Sequence, residues 1–153
     1  MSRWAEVRRM KIPVKKLREN ARLPKRASAG AAGADLYACL DKEIELLPGQ
    51  TTLIPTGLSL EIPEGFVGLV FARSSVASKR GLAPANKVGV IDSDYRGEVM
   101  VALFNHGSTV QKVLPDERIA QFVVVPFLSA EYEETQTLTD TARGSGGFGS
   151  TGQ

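Results

Sequence analysis

The chain has 153 residues, of which 42% are hydrophobic, so it is long and apolar enough to form one domain with its own core. Its 19 Lys and Arg nearly balance 17 Asp and Glu, and the net charge of +2 argues against a general nucleic-acid binder with a strongly basic face. Basic residues crowd the start of the chain, and we interpret residues 1–10 as a solvated, flexible leader rather than a nucleic-acid arm.

The cysteine and histidine content excludes several kinds of site. Cys39 is the single cysteine, so no disulfide can form within the chain, and His106 is the single histidine, so no zinc cluster is evident. No apolar run approaches the length of a membrane span, and the N-terminus lacks the apolar core of a signal peptide. We therefore expect a soluble, intracellular protein, cytoplasmic in location and without a membrane partner.

Short apolar segments rich in β-branched residues are separated by Gly, Pro, Asn and Asp along most of the chain. This punctuation favours many short antiparallel strands and predicts an all-β sandwich, jelly roll or barrel in one domain. Only "SSVASKRG" is typical of a helix, with Ser74 or Ser75 as its N-cap and Gly81 at its end. The strand segments, in chain order, are "DLYACL", "EIELLPGQ", "TTLIPTGLSLEI", "FVGLVFA", "KVGVI", "EVMVALFN" and "IAQFVVVPF".

One β-hairpin is well marked in "VGVIDSDYRGEVMVALFN". Residues 88–91 form an apolar run that enters a polar turn, and residues 99–104 then alternate between two faces, as a strand with one buried face does. The predicted apex of this hairpin concentrates Asp92, Asp94, Tyr95 and Arg96.

Two carboxylates, Asp35 and Asp92, interrupt otherwise apolar strands, where an unpaired charge is expensive. Acids at strand ends or turns are common, so the pattern alone allows an ordinary surface role. A magnesium ion bound to a triphosphate keeps waters and takes phosphate oxygens, so one nearby carboxylate can suffice for it. The other carboxylate could then deprotonate a water molecule. We expect Cys39 to be a buried packing residue and His106 to be a solvated one, and we favour these roles over catalytic ones.

The segment "ARSS" at residues 72–75 follows an apolar strand and begins the predicted helix. Arg73, two hydroxyl groups and the first backbone N–H groups of the helix would suit a phosphate. An ordinary helix cap beside a surface arginine would give the same pattern, and the two interpretations are about equally favoured.

The C-terminal segment "RGSGGFGSTG" matches GxGxxG literally, but no helix follows to receive a pyrophosphate, and GxxxxGK[ST] is absent. We therefore reject a dinucleotide-binding or P-loop site. Its glycines can turn backbone N–H groups toward an anion beside Arg143, and Phe148 could stack on a nucleobase. A flexible tail without a role is the alternative, and composition alone favours it.

Five segments in order resemble motifs of the trimeric dUTPase family: "AGADLYA", "ARSSVAS", "NKVGVIDSDYRGE", "PDERIAQ" and "RGSGGFGSTG". The resemblance covers nearly everything from about residue 11 onward. It implies a distorted jelly-roll or β-clip barrel with one short helix, in a domain-swapped homotrimer with three active sites. Residues 11–135 would form the β domain, and residues 136–153 a flexible arm that closes over a neighbouring subunit's active site.

The resemblance also implies a reaction, the hydrolysis of dUTP to dUMP and pyrophosphate with Mg²⁺. This reaction limits uracil in DNA and supplies dUMP for dTMP synthesis. Asp92 would hold and deprotonate the water that attacks the α-phosphorus, and Asp35 would act on the magnesium through its waters. Asn86 and the backbone around Val90 to Asp92 would read uracil. Tyr95 would pack under deoxyribose and leave no room for a 2′-hydroxyl.

The remaining residues that the resemblance implies contact the phosphates or cover the base. Arg73 and Ser74 would contact the phosphates, with Gln121 supporting the phosphate or water region. From another subunit, Arg143 would bind the γ-phosphate and Phe148 would cover the uracil. The full set of implied substrate-binding residues is Arg73, Ser74, Ser75, Asn86, Val90, Ile91, Tyr95, Met100, Gln121, Arg143, Phe148 and Gly149.

The second motif departs from the usual dUTPase form, because Ala72 and Ser75 stand where that form has Pro and Gly. "RSS" followed by "RGL" is also similar to the dCTP deaminase branch of the same superfamily. Deaminases of that branch carry a catalytic Glu where this chain has Ala102 and a Trp where it has Tyr95, and they lack "GGFGSTG". Deamination is therefore a second hypothesis, less favoured than dUTP hydrolysis. A catalytically idle nucleotide-binding or regulatory protein on the same scaffold is a third.

Overall fold

The computed structural model describes residues 10–147, which form twelve short strands and one short helix, α1 (Ser74–Arg80). The prediction of an all-β domain with a single short helix is confirmed for this part of the chain. The strands are β1 (Val14–Lys16), β2 (Lys25–Arg26), β3 (Ala34–Tyr37), β4 (Ile44–Leu46), β5 (Thr51–Pro55), β6 (Leu58–Leu60), β7 (Phe66–Phe71), β8 (Leu82–Pro84), β9 (Gly89–Ile91), β10 (Met100–Asn105), β11 (Gln111–Val113) and β12 (Arg118–Pro126).

The strands form four small antiparallel sheets whose neighbours are mostly distant in sequence. The largest sheet has the order β2-β3-β12-β7-β9, and a second has the order β5-β10-β8. Two further pairs, β1-β6 and β4-β11, complete the fold. Strand β12 lies at the centre of the five-stranded sheet, between β3 and β7. This position brings the "AGADLYA", "ARSSVAS" and "PDERIAQ" segments to one region.

The core follows from the period-two alternation of the strands. In β10, Val101 and Leu103 are buried while Met100 points outward, so the predicted alternation of this strand is confirmed. Such side chains from several sheets form one apolar cluster. Its fully buried large members include Leu36, Leu46, Ile54, Ile62, Leu82, Val99, Val101, Leu103, Val113 and Ile119.

Cys39 and His106 lie in opposite surroundings, one buried and one exposed. Cys39 is buried, its thiol donates to Asn20 Oδ1 over 3.2 Å, and burial raises the pKa of that thiol. His106 is exposed and stacks edge-on against Phe104, with ring centroids 4.4 Å apart. The interpretation of Cys39 as a packed residue is confirmed.

The ends of α1 confirm one prediction and correct another. Gly81 has φ 64° and ψ 24°, and its N–H donates to the carbonyl of Ala77, so it ends the helix as predicted. The N-cap, however, is Arg73 in an extended conformation, and no side chain caps the helix. Ser74 and Ser75 lie inside the first turn, so the prediction that either would be the N-cap is wrong.

The predicted hairpin between residues 88–91 and 99–104 is also wrong. Strand β9 pairs with β7, with Gly89 opposite Val70, whereas β10 pairs with β5 and β8. Residues 92–99 therefore cross from one sheet to another instead of reversing within one. Alternation reports which face of a strand is buried and does not report its partner, so the sequence pattern could not separate these two cases.

No helix within residues 10–147 has the length and apolar character needed to cross a membrane.

Candidate active site

The loop after β9 carries the predicted base, and hydrogen bonds to its backbone hold it in place. The Tyr95 N–H donates to the Asp92 carbonyl over 3.2 Å. The Arg96 guanidinium donates to the carbonyls of Ser93 over 2.6 Å and Tyr95 over 3.1 Å. From β6, the buried hydroxyl of Ser59 donates to the Arg96 carbonyl over 2.7 Å. Asp92 is exposed, and hydrogen bonds from within the loop and from Ser59 hold the backbone that carries it.

Tyr95 lies beside Asp92 with a defined orientation. Its side chain is 43% exposed, and its hydroxyl donates to the Glu98 carbonyl over 2.9 Å. The Glu98 carboxylate in turn accepts the Gly57 N–H over 2.7 Å, which ties the end of the loop to the segment before β6. The Tyr95 ring is thus held as a partly exposed flat surface on the same cavity as the Asp92 carboxylate.

Two cavities meet at β9, and most of the predicted uracil and sugar residues line them. One, of about 240 Å³, contains Asp92, Tyr95 and Glu98, and the other, of about 220 Å³, contains Asn86 and Gly89. The residues that line both are Leu53, Val90, Ile91 and Met100. Apolar walls with a few polar groups are typical of a site for a small organic ligand.

Leu53 and Glu98 are lining residues that the sequence analysis missed. Leu53 lies on β5 opposite Ala102 and is largely exposed between better-buried neighbours. An outward-facing leucine in a strand was the available signal, although exposed leucines are common enough to make it weak. Glu98 gave no separate signal, because its role depends on Gly57, 41 residues earlier.

A second cluster gathers the predicted phosphate and metal residues around Asp35. The carboxylate, 12% exposed, accepts Arg73 Nε over 2.7 Å and Arg118 Nη1 over 3.4 Å, one arginine on each oxygen. Gln121 lies opposite Asp35 in the ladder between β12 and β3, and its amide donates to the Ala72 carbonyl over 2.8 Å. Two arginines around one carboxylate leave a local excess of positive charge that suits a phosphate.

Arg118 is the member of this cluster that sequence analysis did not single out. It lies in "PDERIAQ", 83 residues after Asp35, and only the pairing of β12 with β3 brings the two together. Its presence within a family motif was the available signal.

The two clusters do not meet within one chain. Ile91 lies opposite Gly68 on β7, whereas Arg73 follows the far end of that strand. Five residues of extended chain separate Gly68 from Arg73, which is roughly 16 Å. Across the sheet, β12 and β7 lie between β3 and β9, so Asp35 is also three strand spacings, or ~14 Å, from the strand that precedes Asp92.

The C-terminal residues belong to neither cluster and are mostly exposed. Arg143 is exposed in a short turn, where its Nε donates to the Gly146 carbonyl over 2.8 Å. Phe148 and Gly149, the predicted base cover, lie outside the described residues. Between Pro126 and Arg143 the chain adopts no strand or helix, and Leu128 and Tyr132 are each 94% exposed.

Comparison with known proteins supports the resemblance. The model of the dUTPase family matches residues 19–152. A deoxyuridine 5′-triphosphate nucleotidohydrolase from Acinetobacter baumannii is 47% identical over 149 residues, which are 94% of this chain and 99% of that protein. One from Desulfitobacterium hafniense is 55% identical over 132 residues, covering 86% of this chain and 87% of that protein.

Solved structures agree in fold. The dUTPase of Staphylococcus bacteriophage 80alpha, in a variant bound to dUpNHpp, has a TM-score of 0.84 at 29% identity, over 94% of this chain and 99% of that one. A variant of the dUTPase from phage phi11 of S. aureus, described as coordinating a structural Mg(II) ion, has a TM-score of 0.77 at 25% identity, over 86% of this chain and all of the other. The resemblance carried by the five motifs is confirmed: the chain belongs to the dUTPase family.

Proposed function

We propose that the protein hydrolyses dUTP to dUMP and pyrophosphate in a homotrimer whose active sites form between chains. The observation that carries the assembly is the separation of Asp92 from Arg73 along β7. A water held by Asp92 at the α-phosphorus must lie within a few ångströms of groups that bind the same triphosphate. Because Asp92 and Arg73 of one chain lie too far apart for this, the base of one chain acts with the arginine of another.

The cavities beside β9 fit a uracil and its sugar. Uracil presents a donor between two acceptors, and Asn86 together with the backbone polar groups of β9 can match that pattern. Cytosine reverses two of these positions and would leave buried groups unpaired, which strongly disfavours it. Tyr95 would lie under the deoxyribose, where its ring leaves no space for a 2′-hydroxyl.

The Asp35 cluster fits the triphosphate. Arg73 offers five N–H donors, and Asp35 engages the one on Nε, so the remainder of the guanidinium can bind phosphate oxygens. Ser74 and Ser75 would add hydroxyl and backbone N–H donors in the first turn of α1. Arg143 would contact the γ-phosphate from a further chain, with Phe148 over the base.

The reaction follows from these positions. The Asp92 carboxylate accepts a proton from a water molecule, whose oxygen forms a bond to the α-phosphorus. The bond between that phosphorus and the oxygen bridging to the β-phosphate breaks, and pyrophosphate leaves with the electron pair. Closure of the C-terminal arm would exclude bulk water and strengthen every charge interaction at the phosphates.

Magnesium fits this site as an ion that arrives with the substrate. Residues 10–147 hold no cluster of three or more His, Cys, Asp or Glu side chains, and both oxygens of Asp35 are engaged by arginines. Mg²⁺ readily takes phosphate oxygens and keeps its waters, so Asp35 would contact it through water. When bound, it supplies positive charge that offsets the charge of the triphosphate.

The competing activities have weaker support. A deaminase would need an acid at Ala102, and this residue lines the cavity with a methyl group. Strand β10, with the sequence MVALFN, contains no Asp or Glu that could act in its place. An idle binding protein would not need Asp92 on a loop with this many backbone restraints.

Product analysis tests the reaction directly. The purified protein is incubated with Mg²⁺ and, separately, with dUTP, dCTP, dTTP or UTP, and the products are separated by ion exchange. We expect dUMP and pyrophosphate from dUTP alone. Deaminated product from dCTP would establish the deaminase alternative, and no turnover of any nucleotide would leave the binding-protein alternative.

Subunit mixing tests the shared site. Asp92→Asn and Arg73→Ala are each expected to lose most of the activity, and co-refolding the two in equal amounts should restore part of it, because about a quarter of sites in a random trimer would then be intact. Each variant refolded alone serves as the control. If mixed samples form trimers by light scattering and remain inactive, the two residues act from the same chain.

A further inference from the structure

Gly97 stands directly against the ring of Tyr95. A Cβ atom placed on Gly97 would lie 2.5 Å from Cζ and 2.8 Å from Cε2 of that ring, and nearer still to its hydroxyl. These separations are far below van der Waals contact, so no side chain fits while the ring stays in place. The neighbouring atoms are the hydroxyl end of a rigid ring, so the whole ring must shift to make room.

The backbone of Gly97 does not itself require glycine. Within residues 10–147, five glycines have a positive φ, and Gly97 is not among them. An alanine could therefore adopt the local backbone conformation without left-handed strain. Glycine is therefore required here because of the Tyr95 ring, which belongs to the site, and not because of the backbone conformation at residue 97.

One hydrogen bond holds the Tyr95 ring through its hydroxyl, and two others hold the backbone from which the ring projects. Its hydroxyl donates to the Glu98 carbonyl, the Tyr95 N–H donates to the Asp92 carbonyl, and Arg96 binds the Tyr95 carbonyl. The ring also borders the cavity of about 240 Å³ that Leu53 and Met100 line. A side chain at Gly97 would therefore push the ring into this cavity and break its hydrogen bond to Glu98.

We propose that Gly97 is a specificity-determining positioning residue, which sets the depth of the sugar site by letting the Tyr95 ring lie back against the loop. This proposal rests on the proposed function. It assigns the discrimination against a 2′-hydroxyl to Tyr95 and Gly97 together. A displaced ring would clash with the deoxyribose of dUTP as well as with the ribose of UTP. The preference for dUTP over UTP is then lost mainly because the KM for dUTP rises.

A double-mutant cycle tests the proposal with kcat/KM measured for dUTP and for UTP. Gly97→Ala should lower the ratio of the two values about tenfold or more, because a displacement near 1 Å in a fitted site is costly. Tyr95→Ala should lower the ratio too, and Gly97→Ala added to it should change the ratio no further. Gly30→Ala is the matched control, since nothing lies within 4 Å of its Cβ position.

Each outcome bears on the proposal. An unchanged ratio in Gly97→Ala overturns it, and so does an equal additional loss when Tyr95 is already Ala, because the loop itself would then be disturbed. If Gly97→Ala does not fold, recovery of folding in the double variant supports the clash with the ring, and failure to recover contradicts it. Failure of the proposed function would appear differently, as the absence of dUTP hydrolysis in the unsubstituted protein.

Discussion

The loop of residues 92–98 and the C-terminal segment of residues 127–147 both carry predicted substrate contacts, yet they are held very differently. The loop is fixed by Ser59, Arg96 and Glu98 through hydrogen bonds to its own backbone or to Gly57. The segment contains Leu128 and Tyr132, which are almost fully exposed, and its Arg143 bonds only to a residue three positions away in the contacts described. The contacts described therefore restrain the region that would position the water, as preorganisation requires, and leave the region that we propose closes over the phosphates largely exposed.

The largest expected effect comes from the rigid region. Asp92→Asn removes the proton acceptor but keeps the size and the loop, so kcat for dUTP should fall by ~10² to 10⁴ while KM changes little. Steady-state kinetics measures both constants. Turnover close to that of the unsubstituted protein would remove Asp92 from the role of base.

A smaller loss is expected from the exposed region. Deleting residues 143–153 should leave the described domain folded, because Arg143 makes only local contacts, and should lower kcat/KM for dUTP by ~10². Thermal unfolding checks the fold, and kinetics the activity. Full activity in the shortened chain would contradict the proposed closure.

The contrast in exposure can be measured with thiol reagents. Ser145→Cys places a thiol on the exposed segment, and its alkylation should slow about tenfold when a non-hydrolysable dUTP analogue and Mg²⁺ are added. Cys39 is the internal control, because burial keeps its thiol inaccessible and raises its pKa, so that it should react slowly in both conditions. Equal labelling of Ser145→Cys with and without the nucleotide would mean that the segment does not close.

The smallest effect should come from one restraint on the loop. Ser59→Ala removes the bond to the Arg96 carbonyl and should lower the free energy of unfolding by about 1 kcal/mol. Ser78→Ala is the matched control, because its hydroxyl bonds to the Ser74 carbonyl on the exposed side of a helix and should change stability by less than about 0.5 kcal/mol. Equal effects of the two substitutions, measured by denaturant unfolding, would show that the loop does not depend on Ser59.

Local signals predicted much of the candidate site. Asp92 and Tyr95 are three residues apart, so any turn in that segment brings them close, and both line one cavity with Val90 and Ile91, which directly precede them in sequence. Gly81 was predictable for a similar reason, because a helix end that needs a left-handed residue favours glycine. The ordered motifs then carried the family assignment, which the comparisons confirmed.

The sequence by itself therefore determined the strand-rich class, the end of the single helix within the described residues and the family. Only the tertiary structure decided that β9 pairs with β7, that Arg118 shares Asp35 with Arg73, and that Gly97 makes room for Tyr95. Alternation and turn residues are local consequences of backbone geometry and burial, so they can be read along the chain. Pairing across 83 residues, and the fit of a ring against a glycine, depend on where whole strands and loops are packed, which no local pattern records.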